Sequence, residues 1–310
     1  MNKTINYLEK LLTKDDTVIL SCSAGPDSMC LYDILLKLKK DINFKLVCVH
    51  INHTRRKASD KEANFLKEYS KNNKVPFELE VLTEFNSNFQ QDARKKRYDF
   101  LNKINEKHNG TYIMTAHHGD DLVETILMRI TRGSNLSGYA GFMVKSDNYI
   151  KPLIFHSKEE IIKYNKINNV IYKTDKSNKS LKYTRNRYRI KILKQLKKEN
   201  ADVNEKYLKF SEELLNYNNY IREEIENKKI IQNKTINLDL FNQEVEFIKT
   251  KTIEYLIDLY QQDYTLEVSD NIVKEIIKLI NSEKGKARID LPNKMVGIKD
   301  NKVFYIKKDI

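Results

Sequence analysis

The segment VILSCSAGPDSMCLYDIL, residues 18–35, runs from a β-branched strand through a short polar turn into an amphipathic helix. The turn is Ser23-Ala24-Gly25-Pro26-Asp27-Ser28, in a chain with only eight glycines among 310 residues. A strand that turns directly into a helix leaves several backbone N–H groups unpaired, and the helix dipole adds partial positive charge there. The turn therefore predicts a seat for an anion such as phosphate. The ordinary alternative is a plain turn in which Asp27 or Ser28 caps the helix.

The first half of the sequence alternates strand and helix patterns. Short β-branched runs predict strands at Thr17–Ser21, Lys45–His50, Phe77–Leu82 and Tyr112–Thr115. Amphipathic patterns predict helices at Asp27–Lys39, Ala58–Asn72, Asp92–Lys107 and Asp120–Thr131. This alternation predicts an α/β fold, a parallel sheet with right-handed crossovers and helices on both faces. Ligands bind such sheets at the carboxyl ends of the strands, and the motifs described below all follow a predicted strand.

The second half has a different character. Residues 182–198 carry eight Lys or Arg and no acidic residue. Charge-rich helical patterns follow at Asn204–Asn227, Glu244–Tyr260 and Glu267–Asn281, and turn residues near the C-terminus predict a small sheet or hairpin. We therefore predict two domains, an α/β domain at residues 1–188 and a smaller, mostly helical domain at residues 189–310.

The composition limits the kinds of binding partner and of cellular compartment that fit this protein. The chain has 56 Lys plus Arg against 43 Asp plus Glu, a net charge of +13, which favours a nucleic acid or a membrane surface as partner. Its three cysteines, Cys22, Cys30 and Cys48, form neither a disulfide framework nor a paired C-x-x-C site, as in proteins of a reducing cytosol. Without an apolar run near ~18 residues or a signal segment, we expect a cytoplasmic protein.

Two histidines follow the second predicted strand, in VCVHINHTRRKASDKEANFL, residues 47–66. His50 and His53 have the spacing of metal ligands, but a third ligand at suitable spacing is missing, which argues against zinc. In the ordinary alternative, His50 closes the strand, and His53 and Arg56 lie in a solvated loop.

The stretch TAHHGDDLVETILMRITRGSNLSGYAGF, residues 115–142, contains four of the eight glycines. Asp120, Asp121 and Glu124 form an acidic cluster in the first turn of a predicted helix, just after a strand. Asp121 and Glu124 are three residues apart and share one helix face. Favourable interaction with the helix dipole accounts for one or two of these acids, so a binding role is not the sole interpretation.

The 23–28 turn lacks the lysine and the spacing of a Walker-type loop, G-x-x-x-x-G-K-[ST]. It has Asp27 instead, and a carboxylate beside a phosphate seat points to Mg²⁺ on Asp27 bridging nucleotide phosphates. In this the turn resembles the S-G-G-x-D-S loop of the N-type ATP pyrophosphatase superfamily. The resemblance implies a sheet of the adenine-nucleotide α-hydrolase (Rossmann-like) type and ATP held by Ser23, Ala24, Gly25, Pro26, Asp27, Ser28 and His50.

Ala24 stands where that superfamily has its first glycine. If the position required a positive φ, alanine would cost roughly 1–2 kcal/mol. We expect Ala24 to lie in the β region, where alanine carries no penalty.

Three further blocks resemble the tRNA(Ile)-lysidine synthetase family. Residues 115–142 are similar, almost residue for residue, to its H-H-x-D-D-x-x-E-T-x-L-M-R-x-x-R-G-S motif. ARKKRYDFL, residues 93–101, resembles its A-R-x-x-R-Y, and YKTDKSNKSLKYTRNRYR, residues 172–189, resembles its D-x-[ST]-N followed by x-[YF]-x-R-N-x-[IV]-R. The histidine stretch resembles H-[VIL]-[ND]-H-G-L-R, with Thr54 and Arg55 departing from it.

This resemblance implies a reaction and a set of roles. The reaction is ATP-dependent ligation of L-lysine to C2 of the wobble cytidine of an isoleucine tRNA with a CAU anticodon, through an adenylated cytidine, giving lysidine, AMP and pyrophosphate. The catalytic residues would be Asp27, Asp121 and Arg94, and the lysine-binding residues Asp121, Glu124 and Asp175. Phosphates of the tRNA would contact Arg185, Arg187, Arg189, Lys191 and Lys194, and residues 189–310 would form a tRNA-contacting domain. Homodimers are common in the family, so a dimer is one expectation.

Two other functions compete with this interpretation. A tRNA thiolase of the same superfamily also adenylates a base carbonyl but delivers sulfur, which requires cysteines in the site. Small buried apolar residues are the ordinary interpretation of the three cysteines here. A catalytically silent tRNA-binding protein is the second alternative, and Ala24 is its only support.

Overall fold

The computed structural model describes residues 1–52, 57–82, 89–174, 180–260, 270–292 and 295–308. The chain divides into two compact units. The first comprises Met1–Thr125 and Phe142–Leu208, and the second Ile126–Gly141 and Lys209–Ile310. These units are defined by how densely their residues pack, and not by function. The predicted functional division at residue 188 therefore stays a prediction. Within the described ranges, no helix is long and apolar enough to cross a membrane.

The first unit contains, within the described residues, a sheet of six strands. They are β1 (Thr17–Ser21), β2 (Lys45–Asn52), β3 (Phe77–Val81), β4 (Tyr112–Thr115), β5 (Lys145–Ser146) and β6 (Tyr149–Ile150). Their order is β3-β2-β1-β4-β6-β5, and every neighbouring pair is parallel except β5–β6. The four predicted strands are confirmed, and the short β5–β6 hairpin adds an edge that the sequence patterns did not predict.

Helices occur before, between and after these strands up to residue 227, and some of them belong to the second unit. In chain order they are α1 (Asn2–Leu11), α2 (Pro26–Ile42), α3 (Lys57–Asn72), α4 (Phe89–Lys107), α5 (Gly119–Arg132), α6 (Leu136–Tyr139), α7 (Lys158–Ile167), α8 (Thr184–Arg187), α9 (Lys194–Glu199) and α10 (Val203–Asn227). A 3₁₀ turn lies at Pro152–Phe155 and a π-helix at Tyr188–Leu193.

The central strand β1 is buried on both faces, as in parallel sheets covered by helices. Val18 and Leu20 pack into a core with the apolar face of α2, whereas Ile19 packs on the opposite face with Leu101 and Ile104 of α4. Each of these side chains is at most 3% exposed. At about 25 cal/mol per Å² of apolar surface, such burial is the main stabilising contribution to this unit.

The strand order creates a topological switch point beside β1. The chain passes from β1 to β2 on one side, and β4 lies on the other side of β1. Crevices at the carboxyl ends of strands form where the winding direction reverses. The turn after β1 and the histidine–acid stretch after β4 therefore lie next to each other.

The second unit is mostly helical and has a small antiparallel sheet. Its later elements are β7 (Ile231–Gln232), β8 (Thr235–Asn237), α11 (Leu238–Gln243), α12 (Glu246–Tyr260), α13 (Asp270–Ile280), β9 (Lys286–Leu291), β10 (Met295–Asp300) and β11 (Val303–Lys308). The strand order is β7-β8-β11-β10-β9, and an Ile-rich core lies between the sheet and helices α12 and α13. The predicted fold class, a mostly parallel α/β sheet followed by a mostly helical region, is confirmed.

Candidate active site at the ends of β1 and β4

The 23–28 turn contradicts one expectation from the sequence. Ala24 has a φ of +62°, in the left-handed region, so the expectation of a β conformation at this position is wrong. Gly25, the next residue, has an extended backbone with φ −74° and ψ 167°. The turn therefore needs its unusual backbone conformation at residue 24, where glycine carries no steric penalty and alanine does.

Hydrogen bonds from three directions hold the 23–28 turn. The Lys173 N–H donates to the Ala24 carbonyl at 2.8 Å, and the Asn165 side-chain amide donates to the Pro26 carbonyl at 2.9 Å. Inside the turn, the Ser23 N–H donates to Ser28 Oγ at 3.2 Å, and Ser28 Oγ donates to the Gly25 carbonyl at 3.1 Å. These contacts fix the path of the backbone without using the first amides of α2.

The start of α2 has the features of an anion seat. The first helical hydrogen bond runs from the Met29 N–H to the Gly25 carbonyl at 3.0 Å, so the N–H groups of Asp27 and Ser28 precede the helical ladder. A Cβ on Gly25 would lie 3.3 Å from Ser23 Oγ, so glycine keeps the turn open at this point. Backbone amides and the dipole of a 17-residue helix converge here, as anion binding requires.

The Asp27 carboxylate lies beside this seat and has two cationic or polar neighbours. Its Oδ1 accepts a hydrogen bond from Lys158 Nζ at 2.5 Å, and its Oδ2 lies 3.9 Å from His118 Nε2. Lys158 is the first residue of α7, which packs against α2. A single carboxylate beside a phosphate seat fits Mg²⁺, which commonly takes one or two protein carboxylates and completes its coordination with phosphate oxygens and water.

His50 lies on β2, two residues before the end of that strand. Its Nδ1 lies 2.8 Å from the Cys22 carbonyl, the side chain is 3% exposed, and burial lowers its pKa. Its Nε2 is buried and has no hydrogen-bond partner among the described residues. A buried ring nitrogen without a partner next to the turn is consistent with the predicted contact to nucleotide.

Two histidines follow β4 on the other side of the crevice. The His117 ring lies 2.9 Å from Thr115 Oγ1 and packs against Phe142, with ring centroids 5.6 Å apart. Burial lowers the pKa of His117 to about 4, and the nearby cation of Lys151 adds to this shift. His118 is 3% exposed, and its backbone N–H donates to the Asp121 carboxylate at 3.1 Å.

Asp121 and Glu124 form a network with two arginines, which we call the acid–arginine cluster (Asp121, Glu124, Arg185 and Arg189). Arg189 donates to both oxygens of Glu124 at 2.6 and 3.0 Å and to Asp121 at 3.0 Å. Arg185 donates to Glu124 at 3.1 Å and to Asp121 at 3.3 Å. The prediction that the two acids share one helix face is confirmed by these shared partners.

The cluster is buried and internally neutralised. The Glu124 side chain is fully buried and that of Asp121 is 12% exposed. Burial alone would raise the pKa of Asp121, but the charges of His118 and Arg185 outweigh it and hold that pKa well below its usual range. Two carboxylates therefore pair with two guanidinium groups in a buried environment, where removing either partner would leave an uncompensated charge.

The third acid of the motif, Asp120, has a different set of partners. Its carboxylate accepts hydrogen bonds from Lys197 Nζ at 2.7 Å and from the Asn204 amide at 2.6 Å. Lys197 also contacts Glu159 at 2.6 Å. Asp120 thus connects the basic segment (residues 182–198), through Lys197, and the start of α10, through Asn204, to the start of α5.

Arg94 lies in a basic group on the same side of the crevice. Its guanidinium donates to the Tyr98 hydroxyl at 3.2 Å and stacks over that ring at 5.1 Å. Burial lowers the pKa of Lys151 to about 8, with a further contribution from the charge of Arg94. Burial also lowers the pKa of Arg97. These three cations form a positive wall beside His117, whose lowered pKa leaves its ring uncharged at neutral pH.

The predicted tRNA-binding residues separate into engaged and exposed groups. Arg185 and Arg189 belong to the acid–arginine cluster, and Arg187 donates to the carbonyls of residues 181 and 182 at 3.1 and 2.9 Å. Lys191 and Lys194 are exposed. Several residues of the sequence motifs lie outside the described residues: His53, Thr54, Arg55, Arg56, Asp175, Ser177 and Asn178.

Sequence reasoning missed three basic residues of the site: Lys151, Lys158 and Lys173. The local sequence around Lys158 resembles any capped helix start, with Ser157 and Glu160 forming a capping box. Its contact with Asp27 joins positions 131 residues apart, so no local pattern could have indicated it. The sequence did show that all three lysines follow β4, in the part of the chain that comes after the last long strand of the sheet.

The fold and this site together define a nucleotide-binding domain of the PP-loop class, whose profile matches residues 1–196. The chain is 31% identical over 321 residues to a tRNA(Ile)-lysidine synthase of Bacillus cereus, covering 97% of this chain and 67% of that protein. The chain belongs to the PP-loop family, and within it to the group of the tRNA(Ile)-lysidine synthases.

A longer relative and a solved structure complete the comparison. The chain is 33% identical over 311 residues to the bifunctional protein TilS/HprT of Listeria innocua, covering 94% of this chain but 48% of that protein. The chain thus spans about half the length of the curated relatives from Listeria that it matches. A U34-tRNA thiolase, NcsA from Methanococcus maripaludis, has a similar fold, with a TM-score of 0.60, 17% identity, and coverage of 69% of this chain and 78% of that one.

Proposed function

We propose that this protein ligates L-lysine to C2 of the wobble cytidine of an isoleucine tRNA with a CAU anticodon, using ATP, in the cytoplasm. The observation that carries the proposal is the meeting, at one sheet edge, of an anion seat with Asp27 and a pair of carboxylates, Asp121 and Glu124. The first suits a triphosphate and the second an ammonium group.

In the first step, the C2 oxygen of the cytidine attacks the α-phosphorus of ATP. The bond between the α-phosphorus and the bridging oxygen breaks, and its electron pair leaves with pyrophosphate. The amides of the 23–28 turn would hold the phosphates, and Arg94, whose charge acts on His117, is the proposed cation for the negative charge that develops on them. Mg²⁺, when bound through Asp27, supplies neutralising charge to the phosphates.

In the second step, the lysine ε-amine attacks C2 and the bond from C2 to the AMP oxygen breaks, so AMP leaves with that oxygen and the amine loses a proton. Asp121, Glu124 and Asp175 are the proposed sites for the ammonium groups of lysine. Because the two acids in the cluster already hold two arginines, a further cation requires that an arginine move away. Phosphates of the tRNA are the anions that would draw Arg185 towards the RNA.

The exposed lysines of the basic segment are the proposed phosphate contacts of the tRNA, and residues 189–310 its wider binding region. We expect that changing Lys191, Lys194 and Lys198 together to Gln lowers the slope of log affinity against log salt by about 2–3. The control changes Lys10, Lys14 and Lys40, which are exposed and far from residues 180–198 in sequence, to Gln. An unchanged slope would show that the positive charge acts elsewhere.

The thiolase alternative finds no support in the cysteines. Cys22, Cys30 and Cys48 are each at most 2% exposed, and burial raises the pKa of Cys30 to about 12. The hydrogen bond between Cys22 and Cys48 lowers the pKa of Cys22 and raises that of Cys48, but neither sulfur reaches the surface. A sulfur carrier needs an accessible thiolate.

The test is incubation of the protein with ATP, labelled lysine and an in-vitro transcript bearing a CAU anticodon. Label that enters the isoleucine tRNA only when all three are present supports the proposal, and a methionine tRNA with the same anticodon is the specificity control. Absence of label from a protein that binds tRNA would instead favour the silent binding protein. Light scattering on the same sample tests the dimer, which stays a prediction.

A further inference from the structure

The 23–28 turn lacks a cation of its own in the sequence, yet the fold places one beside it. Lys158 Nζ lies 2.5 Å from Asp27 Oδ1, at the mouth of the anion seat. The position of Lys158 is fixed by the capping box of Ser157 and Glu160, since that motif sets where α7 begins. From this position the lysine side chain reaches the Asp27 carboxylate beside the 23–28 turn.

The ion pair with Asp27 is poorly explained as a contact that holds α2 and α7 together. Both side chains are partly exposed, at 35% and 28%, and exposed ion pairs contribute little to stability. The same two helices are already joined by Lys37, which contacts Asp33, Tyr164 and Asn168. Asn165 adds a buried hydrogen bond to the Pro26 carbonyl. Lys158 is therefore not needed to hold the two helices together.

We propose that Lys158 is the phosphate-binding cation of the site, paired with Asp27 in the nucleotide-free protein and donating to the β- and γ-phosphate oxygens of a bound nucleoside triphosphate. This proposal depends on the proposed function in one respect, which is that the bound nucleotide is ATP. A shift of the flexible ammonium group from carboxylate to phosphate exchanges one charge-assisted hydrogen bond for another. It also leaves the Asp27 oxygen free to act as a ligand for a divalent cation.

This role places positive charge where the first step generates negative charge. When the bond from the α-phosphorus to the bridging oxygen breaks, the electron pair remains on pyrophosphate. An ammonium group on the β- and γ-phosphates stabilises that leaving group more than the intact triphosphate, which is the condition for catalysis.

The experiment compares ATP and AMP binding by calorimetry, without tRNA or lysine, for wild type, Lys158→Met, Lys158→Arg and the control Lys37→Met. Because AMP lacks the β- and γ-phosphates, Lys158→Met should weaken ATP binding at least tenfold and change AMP binding less than twofold. Lys158→Arg should retain ATP affinity within about threefold. The control Lys37→Met also removes a lysine that joins α2 to α7, through its hydrogen bonds to Tyr164 and Asn168, and should leave both affinities unchanged.

The outcomes separate this proposal from the proposed function. Equal weakening of ATP and AMP, or no weakening, would overturn the role of Lys158 while leaving lysidine formation open. The proposed function alone would be overturned if the wild type binds ATP and Lys158→Met weakens ATP but not AMP binding, yet the wild type forms no lysidine. If the wild type binds no ATP, both proposals fail.

Discussion

The 23–28 turn and the acid–arginine cluster lie at the ends of neighbouring strands and satisfy their polar groups in opposite ways. In the turn, hydrogen bonds from Lys173 and Asn165 hold carbonyl groups and do not use the first amides of α2. In the cluster, every carboxylate oxygen of Glu124 is held by an arginine. The turn is arranged for a partner from outside, whereas the cluster supplies its own partners.

This difference teaches how the two steps of the proposed reaction can be ordered. Fixed backbone dipoles need no rearrangement to receive an anion, so the turn is ready for nucleotide. The cluster must first break strong, buried ion pairs. Lysine should therefore bind productively after nucleotide and tRNA, and the predictions below test this contrast.

The largest expected effect comes from Asp121→Asn. Removing one carboxylate from the cluster leaves its arginines with excess positive charge and removes a proposed contact to the lysine ammonium group. We expect lysine-dependent product formation to fall about 10²–10⁴-fold, because breaking a buried ion pair costs about 3–5 kcal/mol. Exchange of pyrophosphate into ATP, measured in the presence of tRNA, should fall less than tenfold, because the turn is untouched.

Asp33→Asn is the matched control for this change. It also removes a carboxylate that pairs with a cation, at 2.8 Å from Lys37, but on α2 away from the cluster. The control should change neither activity by more than about twofold, as is usual for partly exposed pairs. Equal loss of exchange and of lysine use in Asp121→Asn would refute the division of roles.

The second effect is on stability at acid pH and arises from His117. Its pKa is about 4 in the folded protein and 6.5 in the unfolded chain, so the unfolded state binds the proton first as the pH falls. Stability is then complete above pH 6.5 and is lost as the pH falls towards 4. The contribution of this residue between pH 7 and pH 5 is about 2 kcal/mol.

Urea denaturation at the two pH values measures this contribution. His117→Gln cannot titrate, so it should lose about 2 kcal/mol less than the wild type between pH 7 and pH 5. The depressed pKa of Asp121 acts in the same direction, but its contribution is lost only as the pH falls below the ordinary pKa of a carboxyl group, outside this window. Equal losses for wild type and variant would show that His117 does not titrate in this window.

Arg185→Met tests whether the cluster closes the lysine site. Arg185 is 44% exposed and makes single contacts to each acid, so it is the arginine more easily withdrawn. Its loss should raise the affinity for lysine in the absence of tRNA about five- to tenfold, the range of a modest electrostatic effect. Arg187→Met is the control, because that side chain contacts its own loop and Thr184. An unchanged lysine affinity in Arg185→Met would show that the cluster is a structural unit.

Much of the fold could be predicted because its determinants are local. The strands Thr17–Ser21 and Tyr112–Thr115 occur at the predicted bounds, since short β-branched runs end at polar turns on both sides. The meeting of the 23–28 turn with the 115–124 stretch follows from parallel strands that share a carboxyl edge. These features can be predicted from the local sequence pattern, without knowing how the side chains pack.

The partners within the site could not be predicted in the same way. The acids Asp121 and Glu124 were identified by their helix spacing, but their pairing with Arg189 depends on the path of the chain after α7 and on a π-helix at residues 188–193. A π-helix is rare and is stabilised by tertiary contacts. Charge alone indicated that these arginines bind an anion, and the nearest anion is a protein carboxylate.

The sign of φ at Ala24 was the one clear error, and it leads to the smallest effect. Ala24→Gly should change the free energy of unfolding by less than about 1 kcal/mol. Relief of the left-handed conformation gains roughly 1–2 kcal/mol. Loss of a fully buried methyl group and the added freedom of the unfolded chain together cost a similar amount.

Ala24→Val sharpens this test, because a β-branched side chain at positive φ is a true outlier. We expect Ala24→Val to cost over ~2 kcal/mol, with loss of ATP binding, and Ala24→Gly to retain wild-type ATP affinity within about twofold. The measurements are urea denaturation and calorimetry with ATP. If glycine instead restored a lost nucleotide affinity by tenfold or more, alanine would mark a disabled loop and favour the silent binding protein. Near-neutrality means that the buried methyl group offsets the strain, so the substitution at this position is compatible with a working nucleotide site.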